Sequence, residues 1–452
     1  MAQDRFSEFP QLQEAFSFPL FEAIYGRRSR RFGVGMEIKE GPNLFKSTHE
    51  PLPLTPLEEA LLLSAGTGVT GFNLADMPHT PRPDVADERI LQWDGMCNTM
   101  VEHVGRTWGS PCGNHGTELF YTNDDGVYML QLREAQPTKM QELASTDDRE
   151  GLLKWVETHR VKLRDGRLDL PRNTMAIMSF NLWNCNMPGT TMFMPVTDLT
   201  EEMINGIMLM TDLGGYVIDD YHDYRPCGNE RWVKEKHIDE NNPLPLSWVE
   251  KSLMLATCVE AGFIGHNVLL AEQALGLGGW LYGGVTSMVA MGGTPLTEGL
   301  GFRFEHVGDP RGMPHPVGVD EVFQSFRPPY FPDMRAAVDA VVAKKFGSHG
   351  TFNPSSDKGA PYLNRGDFLR GVPKTPEKTV ECTKDICTYI WNTYGRFPAT
   401  VDPMILYAYI QAQHIELDFY DKYYCPGSYL TTHRDHMKKW HGAKAAAGKK
   451  AA

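Results

Sequence analysis

Arg27-Arg28-Ser29-Arg30-Arg31 puts four guanidinium groups and a hydroxyl into five consecutive residues. Guanidinium forks pair with phosphate or carboxylate oxygens two at a time, and the serine adds a neutral donor, so the segment has the chemistry of an anion site. A solvated basic turn has the same composition. The second stretch with chemical potential is residues 261–285, where Gly276, Gly278 and Gly279 end an apolar run and Gly283-Gly284 follows Trp280-Leu281-Tyr282. Glycine brings no Cβ, so backbone can lie against a flat ligand or against other protein. The run therefore reads either as the floor of a cofactor site or as a close-packed helix end. A dinucleotide fingerprint is not met, because Leu281 stands where the third glycine of G-x-G-x-x-G belongs and the glycines follow a helix.

The elements that must hold these residues are legible in part. Ile264, Val268, Leu269, Leu270, Ala274, Leu275 and Leu277 wrap most of a helix circumference, which marks a helix buried in a core or a subunit interface. Thr55 is a natural N-cap with Pro56 at the first helical position and Glu58 and Glu59 in the first turn. That helix gives way to Thr67-Gly68-Val69-Thr70-Gly71-Phe72-Asn73, a loop of small and hydrogen-bonding residues. Residues 118–122 and 127–130 flank Asn123-Asp124-Asp125-Gly126 as a hairpin, and strands are predicted over 175–183 and 190–196. Helices are predicted from Thr200 and over 334–345, 380–394 and 403–423.

Three of these segments, in this order, resemble the flavin-dependent nitroreductase family. They are the arginine-serine segment 27–31, the Leu-Thr-Pro helix running into the Thr-Gly-x-Asn loop at 54–73, and the Asn-x-x-Leu-Ala…Leu-Gly-Leu-Gly helix at 267–284. The resemblance covers about a third of the chain and implies an α+β fold with an antiparallel-rich sheet flanked by helices. It also implies an intertwined homodimer and FMN at the dimer interface. Arg27, Ser29 and Arg31 match the family positions for the FMN phosphate and ribityl chain, and Arg28 a position that touches the flavin in some members. Thr70 and Asn73 match the loop reaching the flavin from the partner subunit. Gly283 and Gly284 match the backbone behind the ring, with the Gly283 N–H near flavin N5 as the catalytic contact. The family loop continues Gln-Pro-Trp, whereas Leu74-Ala75-Asp76 follows here. Arg365, Arg370 and Arg396 are all candidates for the family's late phosphate-binding cation. On this template residues 16–130 form the first half of the core, 131–245 an insertion that roofs the flavin, 246–305 the second half, 306–442 a C-terminal extension and 443–452 a disordered basic tail.

The function implied is an oxidoreductase that takes hydride from NADH or NADPH onto FMN and passes electrons to an electron-poor or conjugated small molecule. The alternative is a protein of the same fold that binds or sequesters flavin without turnover. Acyl or phosphoryl transfer has little to support it, since neither a nucleophile elbow nor a phosphate-binding loop occurs in the sequence. A net charge of −13 argues against nucleic-acid and anionic-membrane partners. Eight scattered cysteines without C-x-x-C point to free thiols in a reducing cytosol. No export signal opens the sequence, and the apolar stretch 253–291 is interrupted by Glu260, His266, Asn267, Glu272 and Gln273. No metal site is expected. Asp219 and its neighbours read as a solvated acidic loop, His414 and Asp418 as a surface pair on a helix, and His433 and His436 as part of a surface helix.

Overall fold

The computed structural model describes residues 10–74, 100–133, 135, 154, 156–305 and 314–442. Asp76 and the basic tail lie outside them. The largest sheet is built from strands β3 (Thr117–Thr122), β4 (Gly126–Leu130), β5 (Arg160–Asp165), β6 (Thr191–Asp198), β7 (Gly278–Tyr282), β8 (Met404–Leu406) and β9 (Tyr409–Gln413). A separate ribbon pairs β1 (Val69–Phe72) with β2 (Val104–Arg106). The order across the large sheet is β7-β9-β6-β3-β4-β5, every pair is antiparallel, and β8 pairs with the far end of β6. The helices used below are α1 (Leu20–Gly26), α2 (Pro56–Thr67), α3 (Leu199–Asp212), α4 (Leu246–Leu275), α5 (Met334–Phe346), α6 (Glu377–Tyr394), α7 (Leu417–Tyr423) and α8 (Thr431–His441). The architecture is α+β, as expected.

Strand alternation sorts the core. Leu119, Tyr121 and Phe193 pack toward Leu62 of α2 and Ile264 and Val268 of α4, while Phe120, Met192 and Met194 pack on the opposite face with Trp280 and Tyr282. A separate helical core joins α3, α5 and α6 through Met203, Ile207, Val338 and Ile386. The β3–β4 hairpin forms where predicted, with Asn123 Oδ1 accepting from the backbone N–H groups of Asp125 and Gly126. Helix α2 starts on a complete capping box: Thr55 Oγ1 accepts from Glu58 N at 3.3 Å, and Glu58 Oε2 accepts from Thr55 N at 2.6 Å.

The structure corrects several expectations. Residues 131–245 are not an insertion laid on a finished core, because β6 comes from this segment and is an inner strand of the sheet. Its neighbours β8 and β9 come from the supposed C-terminal extension. β6 and β9 are buried at every residue, the two glutamines of β9 included, so both belong to the interior of the protein. The helix predicted over 403–423 is β8, β9 and only then α7: a short apolar run carries no period of its own, and ladder pairing to β6 decided it. Residues 175–183 form turns and a short 3₁₀ segment at Ser179–Asn181 instead of a strand, held to the sheet by Met178 N donating to Gly284 O. Asp219 is fully buried, accepting from Tyr389 Oη at 2.7 Å and Tyr394 Oη at 2.6 Å, and so is not part of a solvated loop.

Among the described residues α4 is the one helix long and apolar enough to cross a membrane by length and composition alone. Its acids are nonetheless buried in protein: Glu250 accepts from the backbone of Ala399 and Thr400, and Glu260 from Thr117 Oγ1 at 2.7 Å. The helix ends at Gly276, whose φ of 83° is left-handed and whose N–H donates to Glu272 O. A Cβ at Gly276 would stand 2.2 Å from the Thr432 carbonyl oxygen of α8, whereas one at Gly301, with φ 79°, would meet nothing within 4 Å. Gly276→Ala should therefore cost about 2–5 kcal/mol, combining backbone strain with overpacking, and Gly301→Ala only about 1 kcal/mol. Equal unfolding midpoints for the two variants in a denaturant titration would overturn this account of the α4–α8 contact.

Candidate functional site

The arginine segment leaves α1 in extended conformation and docks on the sheet beside β7. Arg30 N donates to Gly279 O at 3.1 Å, Gln413 Nε2 donates to Arg30 O at 2.8 Å, and Gly33 bridges to Ile415. The glycines permit this approach. A Cβ at Gly278 would lie 2.2 Å from Ile415 Cγ2 and 2.9 Å from Arg30 O, and one at Gly279 would lie 2.0 Å from the Glu272 carboxylate. The run Gly276–Gly279 is thus filled by protein on every side and does not form a cofactor floor.

Arg28, Ser29 and Arg31 line a cavity of about 560 Å³ whose walls include Phe32, Trp183, Phe419, Tyr420 and Tyr424. Phe32 stacks on Phe419 at 4.2 Å between ring centres and tilts against Trp183 at 5.7 Å. The exposed Arg31 guanidinium sits 4.6 Å over the ring of buried Trp280. Arg28 folds back to donate to the carbonyls of Tyr25 and Arg27. Arg30 plays a different part. It is 2% exposed and donates to Ser428 O, Gln273 Oε1 and Gly26 O, which fastens the segment to α4 and to the chain before α8. Burial pushes its pKa down to about 10, so it stays charged at neutral pH. Burial likewise raises the carboxyl of Glu272, which lies against Gly279, well above the usual range, with Arg30 and Arg27 opposing that shift.

The other expected site residues lie elsewhere in the chain. Arg27 does not line the cavity. Thr70 Oγ1 donates to Arg106 O at 3.4 Å, and Asn73 Nδ2 contacts Met100 Sδ at 3.3 Å. At Gly284 a Cβ would stand 2.4 Å from Asn181 Nδ2, so a protein contact demands that glycine, while Gly283 has open space, with Tyr407 O at 3.6 Å as its nearest neighbour. Of the late cations, Arg365 donates to Pro354 O and Ser356 O, Arg370 pairs with Asp367, and Arg396 with Val401 O and Asp402. None of the three lines the cavity. The aromatic wall was missed in the sequence, where Phe419-Tyr420-Asp421-Lys422-Tyr423-Tyr424 was its signal.

The histidines also need correction. His414 follows a strand and is buried, so it does not share a helix face with Asp418, and His433 and His436 are 1% and 2% exposed on the packed side of α8.

No family model matches the chain, and no curated protein matches it. Among solved structures, a candidate nitroreductase from Ralstonia eutropha JMP134 is 15% identical over 60% of this chain and 74% of that one, with a TM-score of 0.25. A score that low does not establish a shared fold.

The two arginine roles separate by mutation. Arg30→Met strands three acceptors, each costing about 1–3 kcal/mol when buried, so it should destabilise the protein by about 3 kcal/mol or more. Arg31→Ala removes one exposed cation–π contact and should cost about 1 kcal/mol or less. Equal shifts in thermal unfolding would contradict the assignment of Arg30 as the fastener.

Proposed function

We propose that this protein binds FMN and acts as a flavin-dependent oxidoreductase. The observation that carries the reading is the meeting of Arg28, Ser29 and Arg31 with an aromatic wall in one cavity of ligand size. Guanidinium and hydroxyl donors suit a phosphate, and Phe419, Tyr424 and Trp183 offer apolar surface to the rest of the molecule. Arg30 also borders the cavity, but its guanidinium is committed to Ser428 O, Gln273 Oε1 and Gly26 O. When bound, FMN would supply the redox chemistry, accepting hydride from NADH or NADPH and passing electrons to a conjugated small molecule. From Gly279, beside Arg30, to Gly283 strand β7 carries the backbone about 13 Å. Exposed Tyr407 stands beside Gly283, with exposed Leu281 two residues before it, and the Gly283 N–H is our proposed contact for the flavin ring.

The reading includes a homodimer. Trp248, Leu255, Val259 and Phe263 leave an apolar stripe of α4 between 37% and 68% exposed. A second copy packed there would cover the stripe and bring Thr70 and Asn73 of one chain toward the flavin of the other. Cytosolic placement is part of the proposal and is supported by the described cysteines, all of which are free thiols. A second reading, in which flavin is held without turnover, is favoured by one feature: Gly283 and Gly284 are not among the residues that line the cavity.

Two measurements test this. The purified protein should show flavin bands in the visible spectrum that bleach with NADH or NADPH; flavin that no donor bleaches leaves the second reading. Arg28→Ala combined with Arg31→Ala should weaken FMN binding on the order of a hundredfold or more and riboflavin binding far less, since each charge-assisted contact is worth about 1.5–3 kcal/mol. An equal loss for both ligands removes the phosphate from this cavity. For the dimer, sedimentation at micromolar concentration should give two chains for the wild type and one for Leu255→Glu combined with Phe263→Glu. A monomeric, folded wild type would refute it.

A further inference from the structure

Glu58, His414, His436 and His441 come from three separate parts of the fold and converge on one point. Glu58 lies in the first turn of α2, His414 just after β9, and His436 and His441 on α8. One ligand atom from each lies within 4.8 Å of all the others. Glu58 Oε1 is 3.3 Å from His414 Nε2, 2.8 Å from His436 Nε2 and 3.1 Å from His441 Nε2, and the last is 3.1 Å from His414 Nε2. Four ligands at bond lengths of about 2.0–2.1 Å around a tetrahedral ion stand about 3.3 Å apart, close to these separations.

The outer atoms of the same groups are committed in a way that aims the inner ones. His414 Nδ1 is 2.9 Å from Leu52 O, and His436 Nδ1 is 2.7 Å from Leu275 O. A carbonyl oxygen only accepts, so both Nδ1 atoms carry the hydrogen and each neutral ring turns an Nε2 lone pair inward. Glu58 Oε2 is held by Thr55 N in the capping box, which turns Oε1 inward as well. His436 Nε2, in a side chain 2% exposed, faces Glu58 Oε1 at 2.8 Å, a contact that is favourable only if a proton or a cation lies between them. A proton shared between His441 and either neighbour satisfies one pair and leaves the His436 lone pair facing Oε1. A cation satisfies all four at once.

We propose that these four side chains bind one divalent transition-metal ion, zinc by preference, which clamps α8 to α2 and to the end of β9. Three imidazoles and one carboxylate suit a borderline ion and disfavour magnesium and calcium, which take oxygen ligands. The side chains of Glu58, His414, His436 and His441 are 0%, 1%, 2% and 13% exposed, so four protein ligands close the sphere and only the His441 edge meets solvent. That is the form of a structural site, with no open position for substrate.

The test uses the whole chain, stripped with a chelator and then given Co²⁺ or Zn²⁺. The wild type should take up one Co²⁺ per chain with the intense visible bands of tetrahedral coordination, release it to Zn²⁺, and unfold at a higher temperature with Zn²⁺ than without. His441→Ala, which removes the rim ligand, should lower Zn²⁺ affinity about a hundredfold or more and abolish the cobalt bands. His49→Ala, at a second and more exposed group with Glu416 and Asp418, should leave both unchanged. Folded wild type that binds neither ion, or binding that survives His441→Ala but is lost in His49→Ala, would overturn the proposal. Should His441→Ala fail to fold, the wild-type melting temperature decides, and one that does not move with Zn²⁺ counts against the site.

Discussion

Everything near the candidate site depends on the missing Cβ atoms at Gly276, Gly278 and Gly279. In four residues the chain turns from the longest helix into an edge strand, and other parts of the protein fill the space that Cβ atoms would occupy. Thr432 of α8 presses on Gly276, Ile415 and the Arg30 carbonyl on Gly278, and the Glu272 carboxyl on Gly279. Each contact is closer than any L-residue with a side chain would allow. Hydrogen bonds then lock the approach, from Arg30 N to Gly279 O and from Thr432 Oγ1 to Gln273 O. The junction is therefore a meeting point for segments 30, 415 and 432, the first of which is hundreds of residues from the other two in the chain.

Those features were legible wherever the information was local. The N-cap at Thr55, the Asn123–Gly126 turn and the glycine stop of α4 are all stated within a few residues, and all take the form expected of them. What could not be read was what those residues face. The glycines are demanded by protein contacts, yet a ligand would have demanded the same residues, and nothing in the run itself tells the two apart. Glu58 was visible as an acid in the first turn of α2, but its second oxygen answers to His414, His436 and His441, at least 356 positions away. Arg30 was one arginine among four, and only its burial under Gln273 and Ser428 distinguishes a fastener from a ligand-facing cation.

Sheet topology was hidden for a related reason. β6 was legible as a strand over 190–196, but it is buried along its whole length, so its apolar run carries no alternation to say which neighbours it takes in the sheet. Placing the core boundary at residue 131 followed from the family template and not from any break in the chain's own pattern. The partners β8 and β9 suffer the same ambiguity: Met404-Ile405-Leu406 and Tyr409–Gln413 are short, and only the ladder to β6 assigns them to the sheet.

The cavity and the histidine cluster share one length of backbone. Phe32 is in the cavity wall, its carbonyl accepts from Glu416 N, and two residues on Val34 N donates to His414 O. Three residues after His414 the chain enters α7, which supplies Phe419 and Tyr420 to the same aromatic wall, and Tyr420 Oη returns to accept from Phe32 N at 3.2 Å. The position of His414 thus fixes the register of the aromatic wall against the arginine segment. Helix α8 closes the circuit, since Ser428, just before it, accepts from Arg30, and His436 and His441 within it face Glu58. Whatever holds the four side chains together also holds the cavity at its present width. The distance between Arg31 and the ring of Phe419 is set from behind, by groups no ligand in the cavity would touch.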